Sequence, residues 1–274
     1  MNTKLGVLFA LLSGGVLMNV QANAADLSPK VANLNPVVMD TGNAGETVLG
    51  LEYQFKGNLL SKALSDNEGF DLLAADGSIR NVVLSYDMRG TLATDKEKNP
   101  KDFQTFGLDA QLLHSTDKGT LKSGAFVKYE MDQGFDSKQW RYGLGATYGK
   151  SSLLASHDFL GVDVNYGTIA VDSDVEREAL LGEATLADYD RVDAEVLYLY
   201  PLKNPLIDTV EFNYRIFYEL DAPDIIKANR LDQYELTTLH LGLKNKLYLA
   251  YSEGKLPFDR QAGQLFQLGI SHNF

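Results

Sequence analysis

The sequence predicts an all-β protein: a transmembrane antiparallel β-barrel of about 12 strands, with 10 to 14 strands compatible with the pattern. Three observations support this class. The chain begins with an export signal, most of it alternates like β-strands, and its last strand ends on an aromatic residue. No stretch after the signal reaches the roughly eighteen apolar residues that a spanning helix needs. A mature chain in a membrane would therefore cross it with strands.

Residues 1–24 have the pattern of a cleaved signal peptide. Lys4 precedes an apolar run from Leu5 to Val20, and Ala22-Asn23-Ala24 then supplies the small residues that signal peptidase requires. The segment contains one basic and no acidic residue, so the mature chain has 24 basic and 37 acidic residues and a net charge of -13. We therefore expect the protein to be exported.

The segment 25–45 carries Pro29 and Pro36 and shows no clean period, which predicts an extended periplasmic segment before a barrel at 46–274. From Glu46 onward, apolar and polar residues alternate with a period of two. The predicted strands are 46–55, 80–88, 103–113, 121–131, 140–148, 153–159, 162–170, 192–200, 210–218, 231–243, 247–251 and 264–274. This division treats 151–171 as two short strands.

The connections between these strands predict an orientation, because outer-membrane barrels have long outer loops and short periplasmic turns. The assignment puts four long connections outside, namely 56–78, 172–188, 221–230 and 253–263. It puts 201–205 and 244–246 on the periplasmic side. Two connections do not fit, because 90–102 becomes a long inner turn and 114–119 a short outer loop.

The last strand, 264–274, places Phe266, Leu268, Ile270 and Phe274 on one face. It resembles the C-terminal signature of Gram-negative outer-membrane β-barrel proteins, and no narrower family is indicated. The resemblance implies a location in the outer membrane, contact with its lipid and lipopolysaccharide, and recognition of the strand ending at Phe274 by the barrel-assembly machinery. A soluble periplasmic barrel or sandwich is the alternative.

The polar faces of the strands predict a lumen with charges of both signs. The residues most expected to line it are Arg141, Arg191, Asp193, Glu195, Glu211 and Arg215. One interpretation is a small porin-like channel for polar solutes, whose charges select what passes. The other is an ion-paired network that closes the barrel. Fixed charge favours a polar solute over a lipid, so we predict the channel. The alternative is a closed structural or adhesion-type barrel whose outer loops bind a surface partner.

Other chemistry finds little support in the sequence. Ser156-His157-Asp158 resembles a triad only in composition, because neighbours on a strand point to opposite faces. The chain resembles outer-membrane phospholipases in size and predicted strand number but lacks their His-x-Ser pair, and it lacks the Asp-x-His of omptin-type proteases. We predict no enzyme and no cofactor, with an unrecognised enzyme site as the less favoured alternative.

Composition narrows the partners further. The chain has no cysteine, which excludes disulfides and thiolate sites. Asp172, Asp174 and Glu176 could bind a divalent cation, but they lack the spacing of a calcium loop and are predicted to form a solvated acidic loop. The negative net charge argues against nucleic acid as a partner.

Overall fold

The computed structural model describes residues 31–41, 46–63, 79–181, 186–259 and 263–270. Within them, twelve antiparallel strands form a closed barrel in which each strand pairs with the next and β1 pairs with β12. The strands are β1 Val31–Thr41, β2 Glu46–Ala63, β3 Ile79–Ala93, β4 Gln104–Thr116, β5 Gly119–Met131, β6 Lys138–Ser151, β7 Phe159–Ser173, β8 Tyr189–Pro201, β9 Ile207–Leu220, β10 Gln233–Leu243, β11 Leu247–Gly254 and β12 Gly263–Ile270. The predicted fold class is confirmed. The signal peptide, 1–24, and Phe274 lie outside the described residues.

Two strand assignments were wrong in opposite directions. The segment predicted as a periplasmic lead-in, 25–45, contains the first strand of the barrel, which pairs with β2 over eleven residues. The stretch divided into two strands, 151–171, contributes one long strand, because 152–158 forms a turn and β7 then runs without a break. The two errors cancel in the strand count.

The corrected strands change the orientation of the connections. The connections 94–103, 132–137, 174–188, 221–232 and 255–262 all lie at one end, which we call the long-loop end. The connections 117–118, 152–158, 202–206 and 244–246 lie at the other, the short-turn end. The two misfits, 90–102 and 114–119, now join the expected ends. The connection 64–78, predicted as outer, joins β2 and β3 at the short-turn end and lies outside the described residues.

The outer surface of the barrel is apolar. Leu144 is 65% exposed, and Leu49, Phe106, Leu249 and Phe266 are each between 44% and 57% exposed. Val164, Phe212 and Leu239 extend this exposed apolar surface over β7 to β10, so it forms a belt around the wall rather than one patch. Such a belt is unfavourable in water and matches the hydrocarbon layer of a membrane. The barrel therefore has the surface of a membrane-spanning protein.

The interior differs from one side to the other. Near the β1–β12 seam, apolar side chains point inward and form a small core of Val37, Met39, Val48, Ala93, Tyr248, Ala250 and Leu265. Around β5 to β9 the interior is charged instead. Two short helices lie at the long-loop end, α1 at Val175–Leu181 and α2 at Asp224–Ala228. Neither described helix is long and apolar enough to cross a membrane.

Candidate functional site: the barrel lumen

Four charged side chains fill the long-loop half of the lumen and form what we call the arginine cluster: Glu130, Arg141, Arg191 and Asp193. Arg191 Nη2 donates to both carboxylate oxygens of Glu130, at 2.7 and 2.9 Å, and Arg191 Nε donates to Asp193 Oδ1 at 2.7 Å. Arg141 Nη1 lies 2.5 Å from Asp193 Oδ2 and 4.0 Å from Glu130 Oε1. Two cations therefore face two anions, and the cluster is neutral as a whole.

Interior glycines make room for this cluster. A Cβ on Gly143 would lie 2.0 Å from the carbonyl oxygen of Tyr166 and 2.5 Å from Cα of Gly167, so the two strands approach too closely for any side chain there. Phe126 packs against these glycines, and the Arg141 guanidinium lies over its ring, with Cζ 4.7 Å from the ring centroid. The glycines on the lumen side of β6 thus admit a ring and a guanidinium where side chains of their own would fill the space.

The connection 94–103 folds into the barrel mouth, and we call it the inserted loop. Asn99 is buried and donates to the carbonyl oxygen of Thr91 at 2.9 Å. Lys101 reaches the seam side of the lumen, where its Nζ lies 3.2 Å from Glu52 Oε1 and donates to Gln267 Oε1 at 2.6 Å. The loop is thereby bound to strands β2 and β12, on the opposite side from the arginine cluster.

Aromatic rings join the inserted loop to the arginine cluster. Phe103, at the end of the loop, packs edge-on against Phe217 of β9 with 5.6 Å between ring centroids. The Arg215 guanidinium lies over both rings, at 5.9 Å from Phe103 and 5.2 Å from Phe217, and Arg191 lies 5.0 Å from Phe217. Together the inserted loop and the arginine cluster form a partition across the lumen.

A second connection supports the partition from above. Asp259, in the connection 255–262, accepts hydrogen bonds from the backbone N–H groups of Phe103 at 3.2 Å and Leu256 at 2.8 Å. Burial raises the pKa of the Asp259 carboxyl to about 7, although the N–H of Leu256 and the ammonium of Lys101 favour its charged form. The carboxyl holds two long loops together at the mouth.

Below the partition the lumen opens into a chamber of about 960 Å³. Its lining includes Thr116, Asp117 and Ser151, which lie at the short-turn end, so within the described part of the chain the chamber opens towards that end. Its inner end is crossed by an ion pair, because Arg89 Nη1 of β3 donates to Glu195 Oε2 of β8 at 3.4 Å. Beyond this pair the space narrows to a cavity of about 30 Å³, which is room for about one water molecule.

The structure places all six sequence-predicted lumen residues inside the barrel. Arg141, Arg191 and Asp193 belong to the arginine cluster, Arg215 lies at its junction with the inserted loop, and Glu195 and Glu211 line the chamber.

Sequence reasoning missed Arg89, Lys101 and Phe103. Arg89 could have been found, because it follows Asp87 by two positions on the polar face of β3. No local sequence pattern predicts that the inserted loop folds into the lumen, because this depends on its contacts with strands distant in the sequence.

The residues considered for other chemistry have structural explanations. Asp158 accepts hydrogen bonds from the backbone N–H groups of Leu153, Leu154 and Ala155 and from the Tyr198 hydroxyl, so its carboxylate organises the turn 152–158. His157 in the same turn is exposed. Among the described residues, no group of three or more His, Cys, Asp or Glu side chains is placed to hold a metal ion.

Comparison with known proteins adds only a general likeness of shape. No protein-family model matches the sequence, and no curated protein is significantly similar to it. Among solved structures, an outer-membrane channel from Pseudomonas putida F1 is 11% identical, with 92% of this chain and 98% of that chain covered and a TM-score of 0.38. The translocator domain of the autotransporter NalP from Neisseria meningitidis is 14% identical, with 89% and 87% covered and a TM-score of 0.33. At these scores the likeness carries no inference about the activity of this chain.

Proposed function

We propose that this chain is an outer-membrane channel for small polar solutes, and that the partition closes it in the conformation described above. The observation that carries the proposal is the chamber. It has a volume of about 960 Å³, large enough for a small solute, and its walls bear charges of both signs. Side chains fill the long-loop half of the same barrel, so the space in its other half does not follow from the width of the barrel alone. Charged walls also suit a polar solute better than a lipid.

The orientation rests on the asymmetry of the described connections, from which the longer connection 64–78 departs. In this proposal the long-loop end faces the cell exterior and the short-turn end faces the periplasm. The apolar belt contacts outer-membrane lipid and lipopolysaccharide, and the C-terminal strand is what the assembly machinery recognises. The barrel needs no cofactor and is not an enzyme.

The partition can act as a gate because it contains an element that can leave. The arginine cluster is built on strands β5, β6 and β8, which belong to the wall. The inserted loop is a connection, tied in by Lys101, Asn99 and the rings around Phe103. Withdrawal of the loop would open the seam side of the lumen while the cluster stayed in place.

The test is single-channel conductance of the refolded mature protein in planar bilayers. We expect rare, discrete openings in the wild type and more frequent ones in Phe103→Ala and Lys101→Ala, because each removes an anchor of the inserted loop. Arg141→Ala and Arg215→Ala are expected to shift the reversal potential in a salt gradient towards cation selectivity. Lys244→Ala, in an exposed turn at the rim, is the control. Unchanged reversal potentials in both arginine variants would contradict a charged conduction path.

A closed barrel whose long loops bind a surface partner is the second candidate. It is favoured by three apolar side chains exposed at the long-loop end, namely Phe135, Val175 and Ile225 at 57%, 51% and 43% exposure. Under this alternative, the wild-type protein inserts into the bilayer without conducting, and the Phe103→Ala variant also shows no conductance. Replacement of these three residues by serine would then abolish the cellular function while the lumen variants preserved it.

A further inference from the structure

The charges around the chamber are separated by side. Among the described residues, the cationic side chains that line it come from β2 to β6, namely Lys56, Arg89, Lys122, Lys128 and Lys150. Strands β7 to β9 contribute the three carboxylates of Asp163, Glu195 and Glu211 and no cation. We call these two surfaces the basic wall and the acidic wall. The basic wall also holds Asp87, Asp109 and Asp117, so its formal charge is +2, against -3 on the acidic wall.

The two walls are already joined at one point by the pair of Arg89 and Glu195, whose nitrogen and oxygen are 3.4 Å apart across the lumen. Glu195 is also held by Asn213 Nδ2 at 2.7 Å and by Arg215 Nε at 3.7 Å. At the inner end of the chamber, a cation of the basic wall and an anion of the acidic wall therefore satisfy each other directly.

Nearer the entrance, the corresponding charges are not joined. Among the described residues, Glu211 on the acidic wall and Lys122 on the basic wall have neither an ion pair nor a side-chain hydrogen bond. Lys128 lies deeper, at the inner end of the chamber, where its ammonium has the ring of Phe126 at 5.0 Å and the carboxylate of Asp109 as an electrostatic partner. A fixed charge in a narrow lumen is incompletely solvated, so a ligand that supplies the missing counter-charge gains from both walls.

We propose that the chamber binds small peptide-like zwitterions, with their ammonium group at Glu211 and their carboxylate at Lys122. A ligand with one charge satisfies one wall and is opposed by the other. A zwitterion satisfies both and adds no net charge to a chamber whose walls nearly balance. The volume suits an amino acid or a short peptide.

This inference rests on the proposed function in one respect, since it takes the chamber to lie on the path of the solute. Binding itself needs no passage, because the chamber opens towards the short-turn end. The site can therefore be tested on the full mature chain in detergent micelles, by calorimetric titration at pH 7 and constant ionic strength.

Three matched probes separate the two charges. Glycylglycine carries both, N-acetylglycylglycine carries only the carboxylate, and glycylglycinamide carries only the ammonium. We expect glycylglycine to bind at least about tenfold more tightly than either analogue, since each lost charge contact costs about this factor. Equal affinity for the three probes, or binding of none of them, would overturn the proposal.

Two variants assign the ends of the ligand. Glu211→Gln is expected to weaken binding of glycylglycine and glycylglycinamide about tenfold and not to weaken binding of N-acetylglycylglycine, which loses an opposing charge. Lys122→Gln is expected to weaken binding of glycylglycine and N-acetylglycylglycine and not to weaken binding of glycylglycinamide. Neither residue has a partner that the fold depends on, and Lys244→Gln is the surface control. A variant that weakens all three probes alike, or none, contradicts the assignment of its wall.

The outcomes separate this proposal from the channel. Probe discrimination in micelles without conductance in bilayers would refute the channel and keep the binding site. Conductance without discrimination would refute the binding site and keep the channel.

Discussion

Removal of Glu130 should destabilise the barrel strongly, because it takes one of two buried carboxylates from the arginine cluster. Glu130 is 1% exposed and accepts two hydrogen bonds from Arg191 and one from Gln139, at 2.7 to 2.9 Å. In Glu130→Ala, the two buried guanidinium groups of Arg141 and Arg191 share the single carboxylate of Asp193. The interior then holds one uncompensated positive charge.

The magnitude follows from that charge. Breaking a buried ion pair by removing one partner typically costs about 3–5 kcal/mol, because the remaining charge stays away from water. Urea unfolding of the refolded protein in micelles measures the loss. The chain has a single tryptophan, Trp140, whose ring centroid lies 4.8 Å from that of Tyr129. Trp140 follows Gln139 in the sequence and Tyr129 precedes Glu130, so tryptophan fluorescence reports on the region around Glu130.

A double variant makes the reasoning refutable. Glu130→Ala/Arg191→Met removes one anion and one cation and leaves Arg141 paired with Asp193 at 2.5 Å. We therefore expect the double variant to be more stable than Glu130→Ala alone, by about 1–3 kcal/mol. Glu235→Ala, which removes an exposed carboxylate near the beginning of β10, should change stability by less than about 0.5 kcal/mol. The charge argument would be refuted if Glu130→Ala lowered the free energy of unfolding by less than about 1 kcal/mol. It would also be refuted if the double variant were less stable than Glu130→Ala.

Three further changes test other parts of the structure. Gly143→Ala should prevent barrel closure, seen as loss of the folded band in unheated gel electrophoresis. Gly149→Ala, whose Cβ would meet only a ring at 3.3 Å, should fold. Arg177 binds helix α1 to the wall through Glu219 Oε2 at 2.5 Å, so Arg177→Met should raise the rate of cleavage at α1 by a glutamate-specific protease about tenfold, and an unchanged rate would contradict this. The Asp259 carboxyl has a pKa of about 7 in the fold against 3.8 in the unfolded chain, so it contributes stability at low pH that is lost as pH rises through 7. From pH 5 to pH 8 the free energy of unfolding of the wild type should fall by about 2–3 kcal/mol from this group. Urea unfolding of Asp259→Asn should lack this fall. The same pH dependence in the variant and the wild type would count against the raised pKa.

The fold class could be predicted from the sequence because a barrel wall imposes one rule on every strand. Apolar residues face lipid and polar residues face the lumen, so the period of two is visible from β2 to β12. The rule fails at β1, where Val37 and Met39 point inward to an apolar core and Val38 faces out. Pro36 lies just beyond the five described pairs with β12, at a position where a ladder tolerates proline. The strand therefore looked like a linker.

The candidate site could be predicted only in part, for a related reason. Which residues face the lumen depends on parity within a strand, and this placed Arg141, Arg191 and Glu195 inside. Which of them meet depends on the register between strands distant in sequence, as in the pair of Arg89 and Glu195, 106 residues apart. No local pattern encodes that register. The same limit hid the inserted loop, whose contacts are with β2, β9 and β12.

The seam between β1 and β12 has a consequence for how the protein folds. Val37 must find Gly269 across roughly 230 residues, and the described seam has five residue pairs where β1 and β2 share eleven. Joining the ends of so long a loop costs more entropy than pairing neighbours, and fewer contacts offset the cost. Hairpins along the wall should therefore form first and the seam last. Substitutions in the central hairpins would then act on the speed of refolding, and those at the seam chiefly on the rate of unfolding.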